Sequence, residues 1–337
     1  MKSIFRFLAL AIASALLVVL TNCAQQTPNA SNPSNSSSAS NSSPATTTSH
    51  SHGEEKININ TAILSELDKL EAKLGVPALS NKIQGSRPYA SPEELVSKKV
   101  ITQTQFDQIK DMVTIEDIVL TGEAKDVDYM TKLGLMKGHL LVAKELLDQG
   151  KPKEAEPHIG HPVEEIYVDV EEQFQERKVP DFKNQLVGLQ DLLKSKPKDA
   201  KVASQFQQSM QSVDNAIQGL PANERQSPEF VLKVISELLD AANSEYGAAI
   251  ANGKIAAAIE YQDSRGFVTY ADTLYSSVSG QLAKQSPEAH KAIQESMSKL
   301  KTAWPSVIPP ATPVLTPDQV SQEIKAIEQN AQKALKA

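Results

Sequence analysis

Three stretches of this sequence bring imidazole and carboxylate groups together. The first is Gly138-His139, inside an apolar helical pattern. The second is Pro157-His158-Ile159-Gly160-His161-Pro162-Val163-Glu164-Glu165, and the third is Glu260-Tyr261-Gln262-Asp263-Ser264-Arg265. Imidazole nitrogen with carboxylate oxygen is a donor set for iron, copper or zinc. Pro157 and Pro162 confine the two neighbouring histidines to a turn, with His161 at a helix start and Glu164 and Glu165 in the first helical turn. Ligands of this kind project inward from facing helices of a bundle, so His139, His158, His161, Glu165, Glu260 and Asp263 form a candidate metal set. A purely structural account of the same residues stands beside it. Acidic groups in a first turn complement the helix dipole without any metal. His161 then caps its helix, and Glu260 and Asp263 pair with Arg265 or face water.

Other chemistries leave no trace. There is no Gly-x-Ser-x-Gly elbow, phosphate-binding glycine loop, His-Glu-x-x-His pair or dinucleotide fingerprint. One cysteine among 337 residues excludes an intramolecular disulfide and a cysteine-rich cluster. A net charge of −7 argues against a surface built wholly for nucleic acid. These features suggest a binding protein rather than a metabolic enzyme.

The first 55 residues address the chain. Lys2 and Arg6 precede an apolar run from Phe7 to Leu20, a length suited to a signal-peptide core. The following Leu20-Thr21-Asn22-Cys23 resembles a bacterial lipobox, although Asn22 replaces the small residue usual before the cysteine. That resemblance implies removal of residues 1–22, acylation of Cys23, and a membrane-anchored protein on the periplasmic or lumenal side. From Ala24 to Gly53 the chain has no Leu, Ile, Val, aromatic or charged residue and cannot bury a core. As a flexible tether, residues 23–55 would span ~30 Å. His50 and His52 within it form a Ser-His-Ser-His tract that scavenges metal or is simply solvated.

Four short helices fit between about residues 60 and 113. Asn60-Thr61 is a candidate cap for Leu64, Leu67, Leu70 and Leu74. Gly75 stops that helix, and Ser91-Pro92-Glu93-Glu94 and Thr102/Gln105 open later ones. Ile57-Asn58-Ile59-Asn60-Thr61-Ala62, Arg87-Pro88-Tyr89, Ser91-Pro92-Glu93-Glu94-Leu95 and Phe106-Asp107-Gln108-Ile109-Lys110 follow one another in the order of a known family. Residues 56–118 thereby resemble the helix-hairpin-helix domain of the ComEA competence proteins and of PsbU, the extrinsic photosystem II subunit. The resemblance implies either an adaptor that meets a protein partner in the envelope or lumen, or a DNA-uptake receptor. For the second, Lys73, Gly75, Lys98 and Lys99 are the contact set. Only one hairpin glycine remains, however, and Glu71 stands where a phosphate would come. The segment from Glu54 to Ile118 holds 8 Lys+Arg against 11 Asp+Glu, which disfavours DNA.

A linker is expected from Asp117 to Asp128, and then helices over 129–147, 162–177, 181–193, 202–220, 229–252, 259–282 and 288–304. Short Gly- and Pro-bearing stops between them imply an antiparallel bundle over 128–304. A Pro-rich segment and a last helix opening at Thr316-Pro317-Asp318-Gln319 occupy 305–337. The expected class is all-α: a small helix-hairpin-helix domain followed by a larger antiparallel helical bundle. Tyr246-Gly247-Ala248-Ala249-Ile250-Ala251-Asn252-Gly253-Lys254-Ile255, with Glu260-Tyr261, resembles the extracytoplasmic helical region of iron-permease relatives. That likeness implies metal handling.

Overall fold

Leucines and isoleucines spaced three and four apart give the segment after residue 56 its helices, and the computed structural model describes residues 56–117 and 120–336. Cys23, the leader, the tether and its histidines lie outside the described residues. The chain there opens with strand β1 (Ile57–Asn58) and helices α1 (Leu64–Leu74), α2 (Leu79–Gly85), α3 (Glu94–Ser97) and α4 (Gln103–Ile109). Strand β2 (Val113–Thr114) follows. β1 and β2 pair in parallel, Ile57 with Val113 and Asn58 with Thr114, tying the two ends of this unit together. Ile59, Leu67, Leu70, Leu79, Ile83, Leu95 and Ile109 form its own small core.

Two caps follow expectation and one does not. Gly75 ends α1 at φ +61°, a conformation natural to glycine. Thr102 and Gln105 form the reciprocal box at the start of α4. Asn60, however, does not cap α1. Its amide spans to Tyr89, accepting from the backbone N–H at 2.7 Å and donating to the carbonyl at 2.9 Å. The helix starts later, with the Glu66 carboxylate accepting the Ile63 N–H at 3.2 Å.

The rest of the chain is helical: α5 (Gly122–Asp148), α6 (Pro152–Ala155), α7 (Pro157–His161), a π-turn (Pro162–Ile166), α8 (Tyr167–Glu176), α9 (Lys183–Ser195) and α10 (Lys201–Ile217). Next come α11 (Ala222–Arg225) and α12 (Pro228–Ala249). A two-residue hairpin of β3 (Ile250–Ala251) and β4 (Lys254–Ile255) leads to α13 (Ala258–Gln285), α14 (Pro287–Leu300) and α15 (Pro317–Lys336). α12 packs along α13, α13 on α5, and α14 on α15. One apolar core runs through them, from Tyr129 and Leu133 to Val320 and Ile327. The class is all-α, and among the described residues no helix is long and apolar enough to cross a membrane.

Three local expectations are corrected. Residues 122–128 are helix rather than linker, because α5 begins at Gly122 and its first turns are held by ion pairs. Lys125 meets Glu176 at 2.6 Å, and Asp126 meets Arg177. The two-proline stretch is continuous helix rather than a turn. Pro157 sits at a first helical position, where its missing N–H costs nothing. Pro162 has no N–H to bond four residues back, and the ladder widens into a π-turn in which Tyr167 N–H reaches Pro162 C=O. Asn252-Gly253 is more than a helix stop. Both residues have positive φ, 52° and 71°, and form the turn of the β3–β4 hairpin.

The small unit is fastened to the bundle through α1. Lys69 pairs with Asp240 on α12. A Cβ placed on Gly247 would lie 3.2 Å from that of Ala72, so the two helices run close together there. Ile63 belongs to the bundle core rather than to the small one.

Candidate metal centre

Two glycines let α5 and α13 touch backbone to backbone. A Cβ on Gly266 would fall 2.3 Å from the Gly138 carbonyl oxygen, and one on Gly138 would fall 2.6 Å from Phe267 Cδ1. Any side chain at either position would push the helices apart. At this crossing His139 on α5 reaches Asp263 on α13, with Nδ1 and Oδ1 2.7 Å apart. The Phe267 ring stands edge-to-face against the His139 imidazole, centroids 5.0 Å apart, and fixes its plane.

α7 supplies the next group. His158 Nδ1 also lies 2.7 Å from Asp263 Oδ1, and the whole side chain is buried. His161, one helical turn on, places its Nδ1 3.4 Å from Asp263 Oδ2. Three imidazoles from two helices thus surround one carboxylate from a third. Donor atoms of His139, His158 and Asp263 all lie within 4.8 Å of one another.

Gln262 sets the state of His158. Its Nε2 donates to the Val307 carbonyl at 3.1 Å, which leaves Oε1 facing His158 Nε2 at 2.9 Å. An amide oxygen only accepts, so His158 must carry a proton on Nε2. In neutral His158 the lone pair of Nδ1 then points at an oxygen of Asp263, acceptor against acceptor. That contact is stable only with a second proton on the ring or with a cation between nitrogen and oxygen. A metal-binding histidine characteristically hands its other N–H to a carbonyl in this way. The residues therefore fit a cation with nitrogen and oxygen ligands.

The groups around this contact are strongly perturbed by burial and by one another. Burial raises the carboxyl of Asp263, but the adjacent His139 and His158 outweigh it and hold the group well below the usual carboxylate range. Burial lowers His139. It also acts to lower His161, but the bond and charge of Asp263 prevail and lift that imidazole to about 9. Glu165 is half-buried, accepts the Leu64 backbone N–H, and is raised by burial to about 7. Burial also raises Glu260, which feels the charges of Asp263 and His161.

All six sequence-derived candidates therefore gather around this point. His139, His158 and Asp263 are in contact, His161 is at their edge, and Glu165 and Glu260 flank them. The alternatives to a metal site fare differently. Arg265 does not pair with Glu260 or Asp263. It is committed to Glu145, at 3.0 Å through both Nε and Nη2, and to the Trp304 carbonyl at 2.7 Å. His161 makes no capping hydrogen bond. Glu164 turns away to accept from Gln190 at 3.1 Å.

Sequence reasoning missed Gln262, and it missed a buried carboxyl pair close by. Asp68 on α1 and Glu245 on α12 hydrogen bond to each other. Burial raises both, Asp68 to about 7 and Glu245 well above its usual value. The signal lay in the pattern: Glu245 falls at helical spacing from Leu238, Ala241, Ala242 and Ala249, all buried on α12.

The residues of the DNA reading do not assemble into a site. Lys73 and Lys99 are exposed on different turns. Lys98 is tied to Glu94 at 3.3 Å and to the Ser86 carbonyl at 3.1 Å. The amides at the start of α2, near Gly75, are already taken. Glu71 accepts from Ala78 N–H at 2.8 Å and from Ser80 N–H at 3.2 Å, filling the place of an anion.

Residues 221–337 match the model of the iron permease-associated 4-helix bundle domain. This matched segment contains α12, α13, α14 and α15, and with them Asp263, Gln262 and Glu260. It also spans the stretch from Tyr246 to Tyr261 that carries the iron-permease resemblance. The three histidines lie outside it, on α5 and α7, so the centre is built jointly by the matched segment and the helices before it. No curated protein and no solved structure matches the chain.

Proposed function

We propose that this chain is a non-catalytic, membrane-tethered metal-binding protein of iron handling, with His139, His158 and Asp263 as ligands of a divalent cation. One observation carries the proposal. The amide of Gln262 holds the proton of neutral His158 on Nε2 and so aims its Nδ1 at Asp263, an arrangement in which a cation can take the place of a second ring proton. Two imidazoles and a carboxylate suit ferrous iron, with copper and zinc as competitors. The matched iron permease-associated segment puts iron first. His161, Glu165 and Glu260 would adjust the charge of the bound ion. The helix-hairpin-helix-like unit acts as an adaptor to an envelope or lumenal partner rather than as a DNA receptor, since Glu71 already holds the amides a phosphate would need. Cys23 would hold the protein at an extracytoplasmic membrane face.

Anaerobic titration with ferrous iron tests the assignment. One ion should bind per chain and raise the melting temperature, because a ligand of the native state alone stabilises it. Asp263→Asn, nearly isosteric, should abolish both effects. A wild-type chain whose melting ignores iron, copper and zinc would end the proposal.

A further inference from the structure

The metal centre is the floor of a larger space. A cavity of about 800 Å³ opens between α1 and the α1–α2 turn on one side and α12, α13 and the start of α15 on the other. His139, His161 and Asp263 lie at its bottom, and Glu71 and Asp318 stand among its outer residues. Its carboxylates grade inward. Asp318 is exposed, Glu71, Glu165 and Glu260 are half-buried, and Asp68, Glu245 and Asp263 are buried. Among the described residues that line it there is no Lys or Arg.

That absence is informative in a chain with 34 Lys+Arg. Nearby cations are turned to other tasks: Lys69 is paired with Asp240, and Arg265 with Glu145. A cleft of one sign with low-dielectric walls concentrates ions of the other sign and speeds their arrival. The wall on the α1 side is fixed rather than loose, through the Lys69–Asp240 pair and the close Ala72–Gly247 approach.

We propose that this cavity is the vestibule of the metal centre, a passage lined by carboxyl groups and by no Lys or Arg among the described residues, which guides hydrated divalent cations past Asp318 and Glu71 to Asp263. The inference rests on the metal-binding reading and adds a route to it. The small N-terminal unit then has a second role, because α1 and the α1–α2 turn complete the wall. Glu71 both accepts from the first amides of α2 and faces the passage.

Stopped-flow uptake of Co2+, a redox-stable probe, by the full chain tests the route. The wild-type association rate should fall steeply as salt rises. Asp318→Asn, Glu71→Gln and their combination should slow uptake, the pair by about tenfold, flatten the salt dependence, and keep one ion per chain at saturation. Neutralising two exposed carboxylates elsewhere, Glu172→Gln with Asp191→Asn, should leave the rate unchanged. Wild-type stoichiometry with uptake by the Asp318/Glu71 variant within twofold of wild type overturns the vestibule alone. Equal slowing by the distant pair would overturn it too, by assigning the effect to net charge. A wild-type chain that takes up no Co2+ and no ferrous iron removes the centre and the vestibule together.

Discussion

Gln262 and His158 are joined by a contact whose direction is fixed: amide oxygen to Nε2 at 2.9 Å, with the amide nitrogen spent on Val307. The remaining nitrogen of His158 is thereby aimed at Asp263, 2.7 Å away.

Gln262→Leu removes the orienting oxygen without touching a ligand. Affinity for ferrous iron should fall by about 10- to 100-fold, as is usual when the partner of a ligating histidine is lost. One ion per chain should still bind at saturation. Calorimetric titration measures both, and an unchanged affinity would show that the amide does not set His158.

The Gly138–Gly266 crossing should tolerate no side chain. Gly266→Ala sets a methyl against the Gly138 carbonyl, and overpacking of this kind costs about 1–3 kcal/mol or more. Separation of α5 from α13 should also weaken metal binding, because His139 and Asp263 lie on opposite sides of the seam. Gly280→Ala serves as the control, since nothing lies within 4 Å of a Cβ there. Chemical denaturation of the three proteins would expose an error if Gly266→Ala matched the control.

Asp68 predicts a pH dependence of stability. Burial lifts its carboxyl from 3.8 to about 7 in the folded protein. A group raised on folding binds its proton more tightly in the native state. Its contribution is complete below pH ~4 and is lost as pH rises through ~7. Asp68→Asn, neutral at every pH, should reduce the fall in melting temperature between pH 5.5 and 8.5. Identical slopes for wild type and variant would contradict the assignment.

Duplex DNA should not bind. With Glu71 on the α2 amides and Lys98 tied to Glu94, the protein should show no affinity even at low salt. Binding that weakens steeply with salt and disappears on changing Lys73, Lys98 and Lys99 to Glu would restore the DNA reading.

Much of this architecture was legible in local patterns, because helices announce themselves by apolar spacing and by stops such as Gly75, Gly150 and Asn252-Gly253. The candidate ligands were legible by type, since histidines and carboxylates near an apolar face are costly unless partnered. Convergence was not legible. Nothing in the spacing of His139, His158 and Asp263 states that Gly138 and Gly266 meet and bring those side chains within 2.7 Å. The paired prolines around the second histidine stretch read as a turn because each lacks an N–H. The structure absorbs one at a helix start and the other in a π-turn. Asp68 was invisible for a similar reason, since its partner Glu245 is distant in sequence and only the docking of α1 on α12 brings them together.

X-ray absorption at the iron edge, on the full chain loaded anaerobically with one equivalent of ferrous iron, reads the ligands of the bound ion. The prediction is about two imidazole nitrogens with oxygen ligands around iron, and loss of the imidazole signature in His139→Ala combined with His158→Ala. An iron ion surrounded by oxygen alone, or no stoichiometric iron in the wild-type protein, would rule out His139 and His158 as ligands.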